Sequence, residues 1–95
     1  MPAKILIKRT FQKDKTAEIL AVLNRFRASA KTQPGYVQGE TWVDPENPHK
    51  TLVVVTWDSL AQWYQWKNSP KRRDFEAMLA IYQLGATDYE EFEVG

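Results

Sequence analysis

The sequence predicts an α+β fold in which four antiparallel strands form one sheet with helices packed on one face. Three observations predict it. The segments follow the order βαββαβ along 95 residues, apolar residues recur with the period of a strand or of a helix in each segment, and proline, glycine or serine marks the boundaries. This order is the split βαβ, or ferredoxin-like, arrangement, with its second helix broken in two. The length suits a single domain over residues 1–95.

The first strand is predicted at residues 3–10 and the first helix at residues 15–32. The strand contains the apolar run Ile5–Ile7, and because both of its faces are apolar we expect it to be central in the sheet. Pro34 and Gly35 end the helix, because proline disfavours helical geometry in the residue before it and glycine accepts the turn. Spacings of four, three and four place on one helical face Ile19, Leu23, Phe26 and Ala30.

Two further strands are predicted to form a hairpin. Residues 36–43 alternate in the manner of a strand, and residues 51–57 contain an apolar run that gives both faces of the strand an apolar character. The segment 44–49 between them holds two prolines and several turn-forming residues, which predicts an exposed loop. His49, the only histidine, belongs to this loop. We therefore expect no metal site, because no second imidazole is present.

The second helix is predicted in two pieces. Ser59, with Gln62 three residues later, forms a capping box that opens the first piece. Ser69 followed by Pro70 repeats the start signal for the second piece, which we expect to continue until Gly85. A last strand follows at residues 86–94. Apolar residues at helical spacing in the second piece are Phe75, Met78, Leu79 and Tyr82.

Composition limits the partners and the location. Hydrophobic residues make up 43% of the chain and charged residues 26%, which excludes a disordered protein. Thirteen Lys and Arg against twelve Asp and Glu give a net charge of +1, so we expect no nucleic-acid partner. No apolar run approaches the roughly 20 residues of a membrane helix, so we expect no membrane partner. The absence of cysteine excludes disulfides and is consistent with a cytoplasmic protein.

The predicted sheet has a second face that no helix covers. The first three strands place apolar groups on both of their faces, whereas the helices pack on one face only. A large exposed apolar face is an aggregation hazard in a monomer. We therefore expect a homodimer in which this face of the sheet packs against the same face of a second copy.

Three short motifs accompany this order of elements. Pro34-Gly35-Tyr36 precedes the second strand, Val54-Val55-Thr56-Trp57 ends the third, and Trp63-x-x-Trp66-x-x-Ser69 follows. With these motifs the chain resembles the antibiotic biosynthesis monooxygenase (ABM) domain family over essentially its whole length. The resemblance implies a dimeric α+β barrel with a ligand pocket in each subunit between the sheet and the split helices. It also implies oxygenation of a small aromatic, phenolic or quinol-like compound without a cofactor.

Trp66 is the residue that matches the family most specifically. It occupies the position of a helical tryptophan that the haem-degrading and the quinone-forming branches share. The haem-degrading branch also has an asparagine on the first strand and a histidine on the third helix, where this chain has Lys8 and Glu76. A haem-degrading activity is therefore not expected, since the iron would lack its proximal imidazole.

The candidate site residues are those that could wall an aromatic pocket or stabilise an oxyanion. A cofactor-free oxygenase has to deprotonate an electron-rich phenol and hold the anion flat in a dry pocket. Aromatic walls and a few hydrogen-bond donors suit that task. The catalytic candidates are Trp66, Gln62 and Arg72. The candidates for substrate binding are Lys8, Trp63, Tyr64, Phe75, Met78 and Tyr82.

Each interpretation has an alternative. Aromatic residues at helical spacing, such as Phe75 and Tyr82, are also typical of an ordinary core. The basic run Lys71–Arg73 is typical of a solvated helix surface, although cations in a first turn oppose the helix dipole and an anionic ligand would explain them. For the whole chain, the alternative to an enzyme is a non-catalytic dimeric module that binds a small hydrophobic ligand or serves as a stress-related accessory protein.

Overall fold

Four antiparallel strands form a single sheet in the computed structural model, which describes all 95 residues. The order of the strands across the sheet is β2-β3-β1-β4, so β1 is central, as its two apolar faces predict. The ferredoxin-like α+β fold expected from the sequence is confirmed. The strands are β1 (Ala3–Thr10), β2 (Tyr36–Val43), β3 (Lys50–Trp57) and β4 (Asp88–Glu93), and the helices are α1 (Thr16–Ala30), α2 (Leu60–Lys67) and α3 (Pro70–Ala80).

The predicted break in the second helix is confirmed as the boundary between α2 and α3. Each of these helices begins at a serine whose hydroxyl accepts a hydrogen bond from a backbone N–H three residues later. Ser59 accepts from Gln62, and Ser69 accepts from Arg72. Two separate caps and a proline at the start of α3 keep the two helices from merging. None of the three helices is long and apolar enough to cross a membrane.

Two helices are shorter than predicted. Helix α1 spans Thr16–Ala30, inside the expected range of 15–32, and no side chain caps its first turn. Helix α3 ends at Ala80 and does not continue to Gly85. The reason is that the next residues bond to the end of β1: the Tyr82 carbonyl accepts from the Gln12 amide, and the Leu84 amide donates to Thr10. Tyr82 therefore lies beyond the helix.

Alternate residues of each strand lie on opposite faces of the sheet. On β1, Ala3, Ile5, Ile7 and Arg9 are buried on the face that the helices cover, whereas Lys8 is exposed on the other face. The largest fully buried side chains, on the covered face of the sheet and the helices against it, are Trp57, Trp63, Ile5 and Leu79.

The other face of the sheet is called the open face here, because no helix covers it. It carries apolar side chains from all four strands, which confirms that the first three strands are apolar on both faces. Trp42 of β2 is 55% exposed and Phe92 of β4 is 52% exposed. On the strands between these two residues, Leu52 of β3 pairs with Trp42, and Val54 of β3 pairs with Leu6 of β1.

Candidate functional site

A cavity lies between the covered face of the sheet and the three helices. Sixteen residues line it, and ten of them are hydrophobic. They come from β1, β2 and β3 below and from α1, α2 and the start of α3 above. The volume of the cavity, counted as the space open to the centre of a water molecule, is about 70 Å³. That is several times the roughly 10–15 Å³ that a single water needs, so the cavity has room for a small molecule or for several waters.

Aromatic rings form much of the cavity wall. Trp63 and Trp66, three residues apart on α2, both face the sheet and are 1% and 4% exposed. The ring centroid of Trp57 lies 6.0 Å from that of Trp63, and that of Tyr36 lies 5.5 Å from Trp57 at an interplanar angle of 85°. Phe26 of α1 meets Trp66 edge-on at 6.2 Å. These rings give the cavity walls that suit a flat, apolar ligand.

Two buried arginines line the same cavity. Arg9 comes from β1 and Arg72 from the first turn of α3, and they are 4% and 3% exposed. Both contact one oxygen of Glu76: Arg9 Nη2 donates to Glu76 Oε1, and Arg72 Nη2 lies 3.4 Å from that atom. Arg72 Nη1 also donates to the Tyr89 hydroxyl at 2.9 Å. Two buried cations therefore share a single carboxylate.

Aromatic rings stabilise part of the positive charge of Arg9 and Arg72 that Glu76 does not neutralise. The guanidinium carbons of Arg9 and Arg72 lie 5.5 Å and 5.4 Å from the centroid of the Phe26 ring, and Arg72 lies 5.0 Å from the Trp63 ring. A cation–π contact contributes about 0.5–2 kcal/mol, which is less than a buried charge costs. The Nε atoms of both arginines and the indole nitrogen of Trp57 are enclosed without any hydrogen-bond partner.

The edge strand β2 contributes the cavity wall farthest from β4. A Cβ atom on Gly39 would lie 2.8 Å from the Tyr36 hydroxyl oxygen, so glycine makes room for that ring. Burial raises the pKa of Tyr36, and the charge of Arg27 offsets part of the rise. The Tyr36 hydroxyl thus remains a neutral donor. Arg27 also donates to the Thr41 hydroxyl, a contact that joins α1 to β2 at the exposed side of the cavity.

Glu91 of β4 holds the Trp63 indole in place. The Trp63 indole N–H donates to Glu91 Oε2, and Lys67 Nζ donates to the same oxygen at 2.9 Å. Burial raises the pKa of Glu91, but these hydrogen bonds and the charge of Lys67 lower it by more, so the net pKa lies below its usual value. Because this N–H is occupied, Trp63 offers its ring to a ligand, whereas Trp57 retains a free donor.

The structure brings three of the catalytic and binding candidates into the cavity. Trp63, Trp66 and Arg72 line it. Gln62 does not: its Oε1 accepts from the Ser59 hydroxyl at 3.0 Å, as part of the cap of α2. Lys8 does not either, because side chains alternate along β1 and its position lies on the open face.

The four remaining candidates lie outside the cavity lining. Tyr64 is 40% exposed and Met78 is 37% exposed, since both are on the outer sides of their helices. Phe75 packs behind the cavity, stacked on the Phe26 ring at 5.0 Å. Tyr82 follows the end of α3 and packs against the core. Phe75 and Tyr82 thus occupy the ordinary core positions that their spacing also allowed.

Sequence reasoning missed several residues of the cavity. Arg9 lies two residues after Ile7 and four after Ile5, and alternate residues of a strand share a face. The pattern of β1 therefore indicated that this cation faces the helices. Trp57 likewise has the parity of Val55 on β3. No comparable signal marks Glu76 as the partner of two arginines, because that contact depends on how α3 packs on the sheet. No group of acidic or histidine side chains is arranged to hold a metal ion.

A ferredoxin-like α+β domain with an aromatic-walled cavity is the class of protein that this fold and this site define. The sequence profile of the family described as antibiotic biosynthesis monooxygenase matches residues 2–78. The chain belongs to this family, which confirms the resemblance that its short motifs indicated. No curated protein sequence matches the chain closely enough to be counted as a relative.

Solved structures share the fold at low sequence identity. A conserved protein from Methanosarcina mazei Go1 superposes with a TM-score of 0.89 at 13% identity, covering 97% of this chain and 91% of that one. SnoaB, a cofactor-independent oxygenase from Streptomyces nogalater, gives 0.87 at 15% identity, with coverages of 99% and 93%. Rv0793 from Mycobacterium tuberculosis gives 0.86 at 10% identity, with coverages of 99% and 95%.

Proposed function

We propose that the chain is a cofactor-independent monooxygenase that oxidises a small phenolic or quinol-like compound in the cavity between the sheet and the split helices. The observation that carries this proposal is the combination of aromatic walls with buried, unpaired N–H donors in one cavity. Membership of the monooxygenase family supports it. The shared fold with an oxygenase that needs no cofactor is consistent with it.

The reaction balances with molecular oxygen alone. When a phenol becomes a quinone, one atom of O₂ becomes the new carbonyl oxygen. The other atom leaves as water, with the hydrogen of the ring carbon and the hydrogen of the hydroxyl group. The aromatic compound loses four electrons and O₂ accepts four. The protein then has to stabilise the phenolate, hold its ring flat and exclude bulk water.

The cavity residues have roles that fit these tasks. Trp63 and Trp66 provide flat faces against which the substrate ring packs. The Tyr36 hydroxyl and the Trp57 indole N–H are neutral hydrogen-bond donors of residues that line the cavity. Arg72 adds positive charge to the cavity, and a fixed cation in a dry site stabilises an adjacent anion strongly.

Oxygen consumption tests the proposal. The purified protein is assayed without added cofactor against anthrone-like phenols, dihydroxynaphthalenes and quinols, beside the variants Trp66→Phe and Trp42→Phe. We expect uptake above the spontaneous rate for at least one compound. Trp66→Phe should lower that uptake about 100-fold, because a displaced ring no longer meets oxygen in the productive geometry. Trp42 lies on the open face, so Trp42→Phe serves as the matched control.

Two outcomes would contradict the proposal. Equal losses in the two tryptophan variants would show that the substitution acts through general stability and not through the cavity. Binding of the aromatic compounds without any oxygen uptake would favour the non-catalytic ligand-binding module instead.

We also propose that the protein forms a homodimer through the open face. The exposed Trp42 and Phe92 and the half-buried Val54 form an apolar surface that no helix covers. The same face carries Lys8 on β1 and Glu90 on β4, so it presents charges of both signs. A surface of this kind can be complementary to itself across a two-fold axis.

A further inference from the structure

The arginine pair, Arg9 and Arg72, contains more positive charge than the surrounding residues compensate. Both guanidinium groups are almost fully buried, and Glu76 is the only carboxylate that either one contacts. The only other side-chain acceptor that Arg72 contacts is the Tyr89 hydroxyl. Buried charges are ordinarily paired, because an uncompensated ion in a protein interior is costly. The pair therefore lacks one negative charge.

Several N–H groups of the arginine pair have no hydrogen-bond acceptor in the protein. Arg9 makes a single side-chain hydrogen bond, from Nη2 to Glu76, so its Nε and Nη1 groups have no acceptor. Nε of Arg72 has no acceptor either. Both residues line the cavity, and both pack on the Phe26 ring. Because both guanidinium groups also contact Glu76 Oε1, they lie close enough together for one anionic group to contact both.

We propose that the arginine pair binds the carboxylate of an aromatic acid, so that the substrates of this site carry one permanently ionised group. A carboxylate supplies the single missing charge, and its two oxygens match the planar fork of a guanidinium group. The aromatic body of the acid then lies against Trp63 and Trp66. This inference rests on the proposed function in that the bound acid is also the compound that is oxidised.

The neighbours of Arg72 show that this site is not a general basic surface. Lys71 and Arg73 flank it in the first turn of α3, but both are exposed. The hypothesis that the basic run serves an anion therefore applies to one of its three residues. The second cation of the site is Arg9 on β1, and neither Lys71 nor Arg73 belongs to it. Arg73→Gln consequently removes the same charge as Arg72→Gln without touching the cavity.

Calorimetric titration of the wild-type protein with 2-naphthoate and 2-naphthamide tests the proposal first. The two probes have nearly the same shape, and only the first is charged. We expect naphthoate to bind about 10-fold to 100-fold more tightly, as a charge-assisted hydrogen bond to arginine implies. Equal affinity for the two probes would overturn the proposal, and this comparison requires no variant to fold.

Three variants then locate the effect. Arg9→Gln and Arg72→Gln should each weaken naphthoate binding about 10-fold while changing naphthamide binding little. Arg73→Gln should leave both affinities unchanged. An equal loss of naphthoate binding in Arg73→Gln would mean that the charge acts at a distance, and would overturn the assignment to the arginine pair.

Oxygen uptake with a dihydroxynaphthoate and the corresponding amide separates this proposal from the proposed function. Preference for the carboxylate in binding, with no uptake from either compound, would contradict the monooxygenase while supporting the arginine site. Uptake from both compounds at equal rates and affinities would support the monooxygenase and overturn the arginine site.

Discussion

The two faces of the sheet contain similar residues in neighbouring positions, yet these residues differ in what surrounds them. On β1, Arg9 lies on the covered face, where it contacts Glu76 and the Phe26 ring. Lys8, one position earlier, lies on the open face and forms no ion pair. One cation is thus part of a cavity and the other is part of a surface. Strand parity, more than residue type, determines which cation can reach a ligand.

Strand β3 offers the same contrast with identical side chains. Val55 lines the cavity and is 6% exposed, whereas Val54 lies on the open face and is half-buried. The comparison predicts that one substitution has different consequences at the two positions. On the covered face it should affect folding, and on the open face it should affect assembly.

The largest expected effect is that of Val55→Asp compared with Val54→Asp. Val55 pairs with Ile5 and Gly39 on the neighbouring strands, and neither can neutralise a carboxylate, so we expect a loss of about 4 kcal/mol in the free energy of unfolding. At position 54 we expect a loss of about 1 kcal/mol and conversion of the dimer to a monomer. Urea unfolding and sedimentation equilibrium measure the two quantities. A wild-type monomer would refute the dimer, and equal destabilisation would refute the contrast between the faces.

Glu76→Gln is expected to have the next largest effect. It removes the only carboxylate beside two buried guanidinium groups. Removing one partner of a buried ion pair lowers the free energy of unfolding by about 3 kcal/mol, because the remaining charge stays buried without a partner. Glu46→Gln, in the exposed hairpin loop, removes the same charge and should change stability by less than about 0.5 kcal/mol.

A bound carboxylate would replace part of the charge that Glu76→Gln removes. 2-Naphthoate should therefore raise the stability of this variant, measured by urea unfolding, by more than 2-naphthamide does at the same concentration. A loss below about 1 kcal/mol for Glu76→Gln would show that the arginines are compensated without it.

Local patterns predicted the architecture because local chemistry determines it. The run Ile5–Ile7, apolar on both faces, identified the central strand, and the serines at positions 59 and 69 identified the division of the second helix. The end of α3 was predicted too far along the chain. The residues that follow the helix bond to Thr10 and Gln12, and contacts so distant in sequence have no local signature.

The site was less predictable for the same reason. Trp66 was a candidate because it matches a helical tryptophan of the family, and Arg72 because a cation can stabilise an oxyanion; both line the cavity. Gln62 had the right chemistry, but its amide is engaged in the cap of α2. Arg9 could have been found from strand parity. The pairing of Arg9 with Arg72 through Glu76 required the packing of α3 against the sheet, which periodicity does not specify.

The smallest expected effect is on how the free energy of unfolding changes at alkaline pH. It comes from Tyr36, a residue of the covered face. Burial raises the pKa of Tyr36 above 10.0 in the folded state, while the unfolded chain keeps the ordinary value. Between these two values the folded protein binds more protons than the unfolded chain, so stability must fall as the pH rises through that window. Tyr36→Phe removes this contribution and should flatten the decline.

Urea unfolding of the wild type, Tyr36→Phe and Tyr64→Phe between about pH 9 and 11 measures this contribution. Tyr64→Phe removes a tyrosine that is 40% exposed and therefore controls for the loss of one phenol. We expect Tyr36→Phe to have the shallowest slope of stability against pH. If Tyr64→Phe flattens the slope as much as Tyr36→Phe does, the cavity is open to bulk water and does not provide the dry environment that a phenolate intermediate requires.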